Sequence, residues 1–189
     1  ARIIWADIMK NQFKIKNIKS MMCRFHTQTA GSSLQANQID NNIIRTTMQA
    51  TAAILGGTQS LHTNSKDEAL ALPTEESAQT ALRTQQILAF ETGIPNVADP
   101  LAGSYYIEEL TNQIKDKSIK LINEIELMGG AIPAIENNFQ QNKIADSAYT
   151  YQQTIENNEQ IIVGLNKFKN NEKQNDTILS IDEESINNQ

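Results

Sequence analysis

Gly56-Gly57-Thr58-Gln59-Ser60-Leu61-His62-Thr63-Asn64 decides how this sequence folds. Two glycines stop whatever precedes them, and a strand-length segment, about 58–63, follows and ends in polar side chains. Upstream, residues 40–55 place Ile43, Ile44, Thr47, Met48, Thr51, Ala52 and Leu55 at spacings of three and four, the pattern of an amphipathic helix. Downstream, Pro73-Thr74-Glu75-Glu76 opens a second helix, with Thr74 as N-cap and two acids in the first turn, ending near Gly93. Further upstream, Met21-Met22-Cys23-Arg24-Phe25 is a short apolar run of strand length, broken by Thr29-Ala30-Gly31-Ser32-Ser33, and residues 1–13 read as the tail of a helix. The first half is therefore helix, strand, helix, strand, helix, which points to parallel strands joined by crossover helices. Two parallel strands cannot stand alone, since such sheets have more strands beside them and helices on their faces. The segment is expected to be a piece of a larger α/β domain.

The second half reads differently. Residues 93–104 form a loop carrying Pro95, Pro100 and Gly103, and 105–128 an amphipathic helix along Ile107, Leu110, Ile114, Leu121, Ile125 and Met128. Shorter helices are expected at 132–138 and 145–157, and a short strand at 161–164. From 169 onward Asn, Lys, Gln and Glu dominate, the composition of a solvated connector.

Composition narrows the function. The 189 residues carry 16 basic and 22 acidic side chains, a net charge of −6, which argues against a nucleic-acid-coating surface. No run of about 18 uncharged apolar residues is present, so no membrane-spanning helix is expected. Ala1-Arg2-Ile3-Ile4-Trp5 has neither the apolar core of a signal peptide nor a residue to cap its helix, so that helix reads as cut from something longer. The single cysteine, Cys23, excludes an internal disulfide and fits a reducing, cytoplasmic setting.

Two strand ends carry the polar chemistry. His26 and Gln28 share one strand face while Thr27 and Thr29 share the other, and at the carboxyl end of a parallel strand such a pair can bond a polar ligand. The alternative is a histidine held by backbone carbonyls beside a turn. Asn64 and Glu68 can together grip vicinal hydroxyls of a sugar, the amide donating and accepting and the carboxylate accepting; equally, they can cap a helical turn around residues 66–70. His26, His62 and Cys23 lack zinc-site spacing, so no metal ligands are assigned. Gly56-Gly57 and Gly129-Gly130 are helix stops without the context of a phosphate loop, and no serine occupies a nucleophile elbow. Arg45 and Arg83 read as packing or ion-pair residues within helices.

Arg24-Phe25-His26-Thr27-Gln28-Thr29-Ala30-Gly31, Gly56 through Asn64, Asp67-Glu68-Ala69, Leu72-Pro73-Thr74 and Asp99-Pro100-Leu101-Ala102-Gly103-Ser104-Tyr105 closely resemble the large chain of the methylmalonyl-CoA mutases, adenosylcobalamin-dependent acyl-CoA mutases. The likeness continues through Leu121-Ile122-Asn123-Glu124-Ile125-Glu126 and Met128-Gly129-Gly130 to Val163-Gly164-Leu165-Asn166-Lys167-Phe168, nearly the whole chain. It implies a partial TIM barrel in residues 1–92, its last two β/α units, with strands at about 20–27 and 58–63. A helical extension at 93–168 and a polar linker at 169–189 would follow.

By the same resemblance Asn64 and Glu68 hold the ribose of the adenosyl group. Ala69 lies near the corrin, Gln28 and Gly31 line the cofactor cavity, and His26 and Gln59 line the substrate cavity. The implied activity is radical rearrangement of an acyl-CoA, methylmalonyl-CoA to succinyl-CoA. An isobutyryl-CoA mutase is the nearest rival, and a non-catalytic barrel remnant or assembly subunit the rival from another class. Many members carry Trp where this chain has Ser32, so that ring's contact is absent. Cobalt's histidine comes from an Asp-x-His-x-x-Gly motif, which neither His26 (after Arg24) nor His62 (after Ser60) fits. The cobalamin-binding domain, the remaining barrel strands and the substrate-recognising side chains are therefore expected from other polypeptide, within a dimer or heterodimer, and this chain alone is expected to be inactive.

Overall fold

The computed structural model describes residues 1–170, so all but the start of the linker expected at 169–189 lies outside the described residues. The described residues divide into two compact units: Ala1–Arg24 with Leu101–Ile161, and Phe25–Pro100 with 162–170.

The second unit holds the sheet. Strand β1 (His26–Gln28) lies parallel to β2 (Ser60–His62), with His26 opposite Ser60, Thr27 opposite Leu61 and Gln28 opposite His62. The expected parallel pair is present, but the first strand starts later than the apolar run at 21–25. That run begins inside a short helix, Ile18–Met21, whose first turn is capped by the Asn17 side chain accepting from the Lys19 N–H. Strand geometry needs a partner for its backbone groups, and the facing segment engages the chain only from Phe25 onward. There Gln59 donates its N–H to the Phe25 carbonyl (3.2 Å), while the Gln59 side-chain oxygen accepts from the Phe25 N–H (2.8 Å).

Helix α3 (Asn41–Leu55) and helix α4 (Glu75–Phe90) follow the two strands, as their periodicities and caps predict; here α1 denotes Arg2–Asp7 and α2 the Ile18–Met21 turn. The faces they bury are unexpected. On α3 the buried stripe is Asn42, Thr46 and Ala50, four residues apart, whereas Ile44 and Met48 are 64% and 66% exposed. On α4, Ser77, Thr84 and Leu88 are buried while Leu82, Ile87 and Phe90 face outward. Among the described residues, Leu34, Ile39, Ala50 and Leu88 form the buried apolar set of this unit. The helices bury polar anchors for the loops beside them and leave apolar stripes uncovered, the pattern of elements with packing surface to spare.

In the first unit α1 runs into a π-helical turn, Ile8–Gln12, and the Trp5 indole donates to the Ser20 carbonyl (3.1 Å). Helices α5 (Tyr105–Leu127), α6 (Ala131–Glu136) and α7 (Phe139–Glu156) match three expected helices, but the last begins six residues before the expected 145. Asn138, in the left-handed region at φ 57°, separates α6 from α7, a conformation Asn tolerates better than most residues. Gly129 and Gly130, at φ 96° and 103°, make the break after α5 that side chains rarely allow. The strand expected at 161–164 is instead a turn in the second unit, closed by one bridge between Val163 and Lys167.

The segment between β2 and α4 is tied by one carboxylate. Asp67 is buried, and its Oδ2 accepts from the Thr74 N–H (3.0 Å) and hydroxyl (3.3 Å), while the Thr74 hydroxyl oxygen accepts from the Ser77 N–H (3.3 Å). Burial pushes the Asp67 carboxyl up, but hydrogen bonds from the Thr74 N–H and neighbouring hydroxyls outweigh it and hold the group below its ordinary value. Replacing Thr74 with Ala should cost about 1 kcal/mol. In the full-length protein carrying this segment, that change should lower the hydrogen-exchange protection of the Ser77 amide, with Thr74→Ser restoring it. The depressed pKa also fixes a pH dependence. Stabilisation by the Asp67 carboxylate is fully present above the unfolded value near pH ~4 and is lost as pH falls through the lower native one. Protection factors in the first turn of α4 should therefore hold above pH ~4, fall as the pH drops below it, and level off beneath the native value. Asp67→Asn should reduce them at neutral pH and abolish that acid step.

Candidate functional site

Alternation along the two strands sorts their side chains. Thr27 and Leu61 are partly buried, whereas His26, Gln28, Ser60 and His62 are exposed on the opposite face. The sheet thus presents an uncovered polar face. On it the His26 Nδ1 lies 2.7 Å from the Ser60 hydroxyl across the pair.

At the carboxyl ends the chain draws two loops together. The Thr29 N–H donates to the His62 carbonyl (3.1 Å), extending the ladder one step beyond the strand. The Thr29 hydroxyl oxygen then accepts from the Asn64 N–H (2.9 Å), and the Gln28 amide donates to Asn64 Oδ1 (3.1 Å). Asn64 is 3% exposed, and its Nδ2 is buried with no hydrogen-bond partner. An unpaired buried donor costs about 1–3 kcal/mol, which an acceptor placed beside it would recover.

What lies beside that donor is Gly31. A Cβ built there would stand 3.1 Å from Asn64 Nδ2, 3.6 Å from Glu68 Cγ and 3.7 Å from Glu68 Oε1. Gly31, Asn64 and Glu68 therefore meet around one small space that a side chain at 31 would fill. Glu68 is exposed, in a turn where its N–H donates to the Ser65 carbonyl (3.3 Å), so its carboxylate is free to accept from a ligand. An amide donor and a carboxylate acceptor facing a bare glycine match a pair of neighbouring hydroxyls.

The sequence-predicted residues separate accordingly. Gln28, Gly31, Asn64 and Glu68 are brought together, with Ala69 exposed on the adjoining turn and Ser32 exposed beside Gly31. His26 shares the polar face with Gln28. Gln59 is not part of this cluster: it precedes β2 at the amino ends of the strands, its side chain engaged with the Phe25 N–H. Among the described residues no group of three or more His, Cys, Asp or Glu side chains is placed to hold a metal, and no helix is long and apolar enough to cross a membrane.

Sequence reading missed the supports. Thr29 was assigned to the face away from the ligand, yet its hydroxyl fixes Asn64. Gln49, six residues before the end of α3, bonds the Ala30 N–H and the Ser33 hydroxyl, both at 2.6 Å, and so holds the Gly31 loop. Asn42, Thr46 and Ala50 at a spacing of four were the available signal, a polar stripe inside a helix that otherwise reads as apolar.

The sequence model of the methylmalonyl-CoA mutase family matches residues 1–189. The chain is 48% identical to the mitochondrial methylmalonyl-CoA mutase of Bos taurus and 47% identical to a methylmalonyl-CoA mutase of Rhizobium meliloti, over 99% and 98% of its length. It is 46% identical over 91% of its length to the large subunit of a 2-hydroxyisobutanoyl-CoA mutase of Aquincola tertiaricarbonis. The chain spans about a quarter of the length of the methylmalonyl-CoA mutases it matches, 25% of the bovine protein, and 31% of the Aquincola subunit. A match over the full chain, at this identity, to proteins of one reaction class places it: the chain belongs to the methylmalonyl-CoA mutase family.

Proposed function

We propose that this chain is part of an acyl-CoA mutase that uses adenosylcobalamin to convert methylmalonyl-CoA to succinyl-CoA, and that Gly31, Asn64 and Glu68 cradle the ribose of the adenosyl group. The observation that carries the reading is the buried, unpartnered Asn64 Nδ2, facing Gly31 beside the Glu68 carboxylate. Ribose offers adjacent hydroxyls: one would accept from Nδ2 while donating elsewhere, the other would donate to Glu68. Gln28 holds the Asn64 oxygen, which leaves the donor end of that amide for the ligand. When bound, adenosylcobalamin supplies an organic radical for carbon-skeleton rearrangement. The chain's own share is to hold the nucleoside at the mouth of the sheet and to keep water from it. No residue of this chain is assigned a proton-transfer step, and the cobalt ligand is assigned to another domain or subunit.

The architecture supports the same reading. Two parallel strands, crossover helices on one side and a bare polar face on the other are what two neighbouring β/α units of a TIM barrel present, with ligands at the carboxyl ends of the strands. We assign them as the last two units, within residues 1–92, followed by a helical extension at 93–168 and a linker. The remaining barrel would cover the exposed stripes of Ile44 with Met48 and of Leu82 with Phe90. His26 and Gln28 would then line the cavity, with Ala69 toward the corrin; Gln59 stands apart at the opposite end of the strands. A cobalamin-binding domain or subunit and an acyl-CoA are the partners, and the reducing compartment expected from the lone Cys23 is retained. The 2-hydroxyisobutanoyl-CoA relative keeps a second acyl-CoA in view, which a panel of acyl-CoA isomers resolves.

The test uses the full-length protein carrying this segment. Glu68→Ala and Asn64→Ala should each weaken adenosylcobalamin binding or turnover by about tenfold or more, the first removing a charge-assisted hydrogen bond worth about 1.5–3 kcal/mol and the second a buried neutral one whose loss strands its partner. Gly31→Val, which fills the space between them, should do the same without loss of folded protein. Wild-type turnover and coenzyme affinity in all three would refute the reading.

A further inference from the structure

Asn42 is wholly buried in the first turn of α3, and its amide is fully partnered. Oδ1 accepts from the Gln35 N–H (3.0 Å) and from Arg45 Nη1 (2.8 Å); Nδ2 donates to the carbonyls of Gln35 and Lys66, both at 2.8 Å. Two acceptances and two donations exhaust the capacity of an amide. A helix needing only to pack would bury an apolar side chain there. A saturated amide instead sets the separation of the backbones it joins, because displacing any one strands a buried polar group.

Those backbones are the two walls of the cradle. Lys66 lies midway between Asn64 and Glu68, and it is held at both ends: its carbonyl by Asn42, its ammonium by Asp40 at 2.8 Å. Gln35 lies four residues beyond Gly31 on the opposite loop. Arg45 extends the network outward. While Nη1 reaches Asn42, Nη2 donates to the Val163 carbonyl (2.7 Å), 118 residues away in sequence. Residues 162–168 form a tight turn, with the Gly164 N–H donating to the Lys167 carbonyl (2.8 Å) and the Asn166 side chain accepting from the Ile162 N–H (2.7 Å). Gln38 fastens the far side by donating to the Phe168 carbonyl (2.9 Å). A planar guanidinium holds two separated donors in a fixed fork that spans an amide oxygen and a carbonyl, a geometry that a lysine's single flexible ammonium does not fix.

We propose that Asn42 and Arg45 are positioning residues for the Gly31–Asn64–Glu68 cradle, and that the 162–168 turn latches it through Arg45. The inference rests on the reading of that cradle as the adenosyl-ribose site, and it adds a control point formed by chain that follows helix α7. If the turn is released, Arg45 loses one of its two acceptors. Asn42 then loses a fixed neighbour, and the Lys66 carbonyl its constraint.

The experiment compares two cobalamins on the full-length protein: adenosylcobalamin, and hydroxocobalamin, which has no adenosyl group. Arg45→Ala should raise the dissociation constant of the first about tenfold and leave that of the second unchanged; Arg45→Lys should recover part of the loss. Asn42→Ala should act in the same direction and more strongly, and the arginine variants carry the test if that one does not fold. Asn64→Ala serves as the reference, since it should show the same discrimination. Arginine variants that bind both cobalamins as the wild type does, or lose both equally, would overturn the latch, the second result marking a role in folding alone. If Asn64→Ala shows discrimination and Arg45→Ala does not, only the latch falls. If Asn64→Ala shows none, the ribose reading falls and takes the latch with it.

Discussion

Everything in the second unit depends on the parallel pairing of His26–Gln28 with Ser60–His62. Parallel strands point their carboxyl ends the same way, so the loops after them emerge side by side although a helix of 15 residues separates them in sequence. Three hydrogen bonds convert that proximity into a shaped site: Thr29 to His62, Asn64 to Thr29, and Gln28 to Asn64. Slip the register by one residue and every strand side chain exchanges faces. Gln28 would turn toward the helices, and the carbonyl of His62 would no longer meet Thr29.

Around that pairing the molecule buries polar groups where an isolated domain buries hydrocarbon. Asn42, Thr46, Ser77 and Thr84 occupy the inner stripes of α3 and α4, while Ile44, Met48, Leu82 and Phe90 lie outside. Two of the buried polar side chains fix loops: Asn42 the Gln35 and Lys66 backbones, and Asp67, with Thr74, the start of α4. Such contacts add little net stability individually, because each replaces a bond to water, but they are costly to break singly. The unit is thus specified by polar contacts and stabilised only modestly by its own apolar core, consistent with a segment spanning about a quarter of its relatives.

The Asn64 amide shows how such specification becomes function. Its oxygen is held by Gln28 and its backbone by Thr29, while its nitrogen is buried and unpaired. On the proposed reading, a donor kept unsatisfied in a fixed frame is preorganised, so that a ribose would meet a group already desolvated. Gly31 contributes by lacking a Cβ, for the close approach and not for a special backbone angle.

Much of this was legible from local signals. Helix periodicity placed α3, α4 and α5 to within a residue or two. Thr74 was read as a cap and is one, and the polar ends after the two strand-length segments proved to be the places where Gln28, Gly31, Asn64 and Glu68 gather. Caps, glycine stops and apolar spacing are properties of a few consecutive residues, which is why the sequence alone determines them. The late start of the first strand, the turn in place of a strand at 161–164, and the isolation of Gln59 from the cluster depend on partners remote in the chain. The buried role of Asn42 and the reach of Arg45 to Val163 do too. Backbone pairing and the burial of a polar side chain are decided by whichever distant groups arrive to satisfy it, so they became definite only in the tertiary structure.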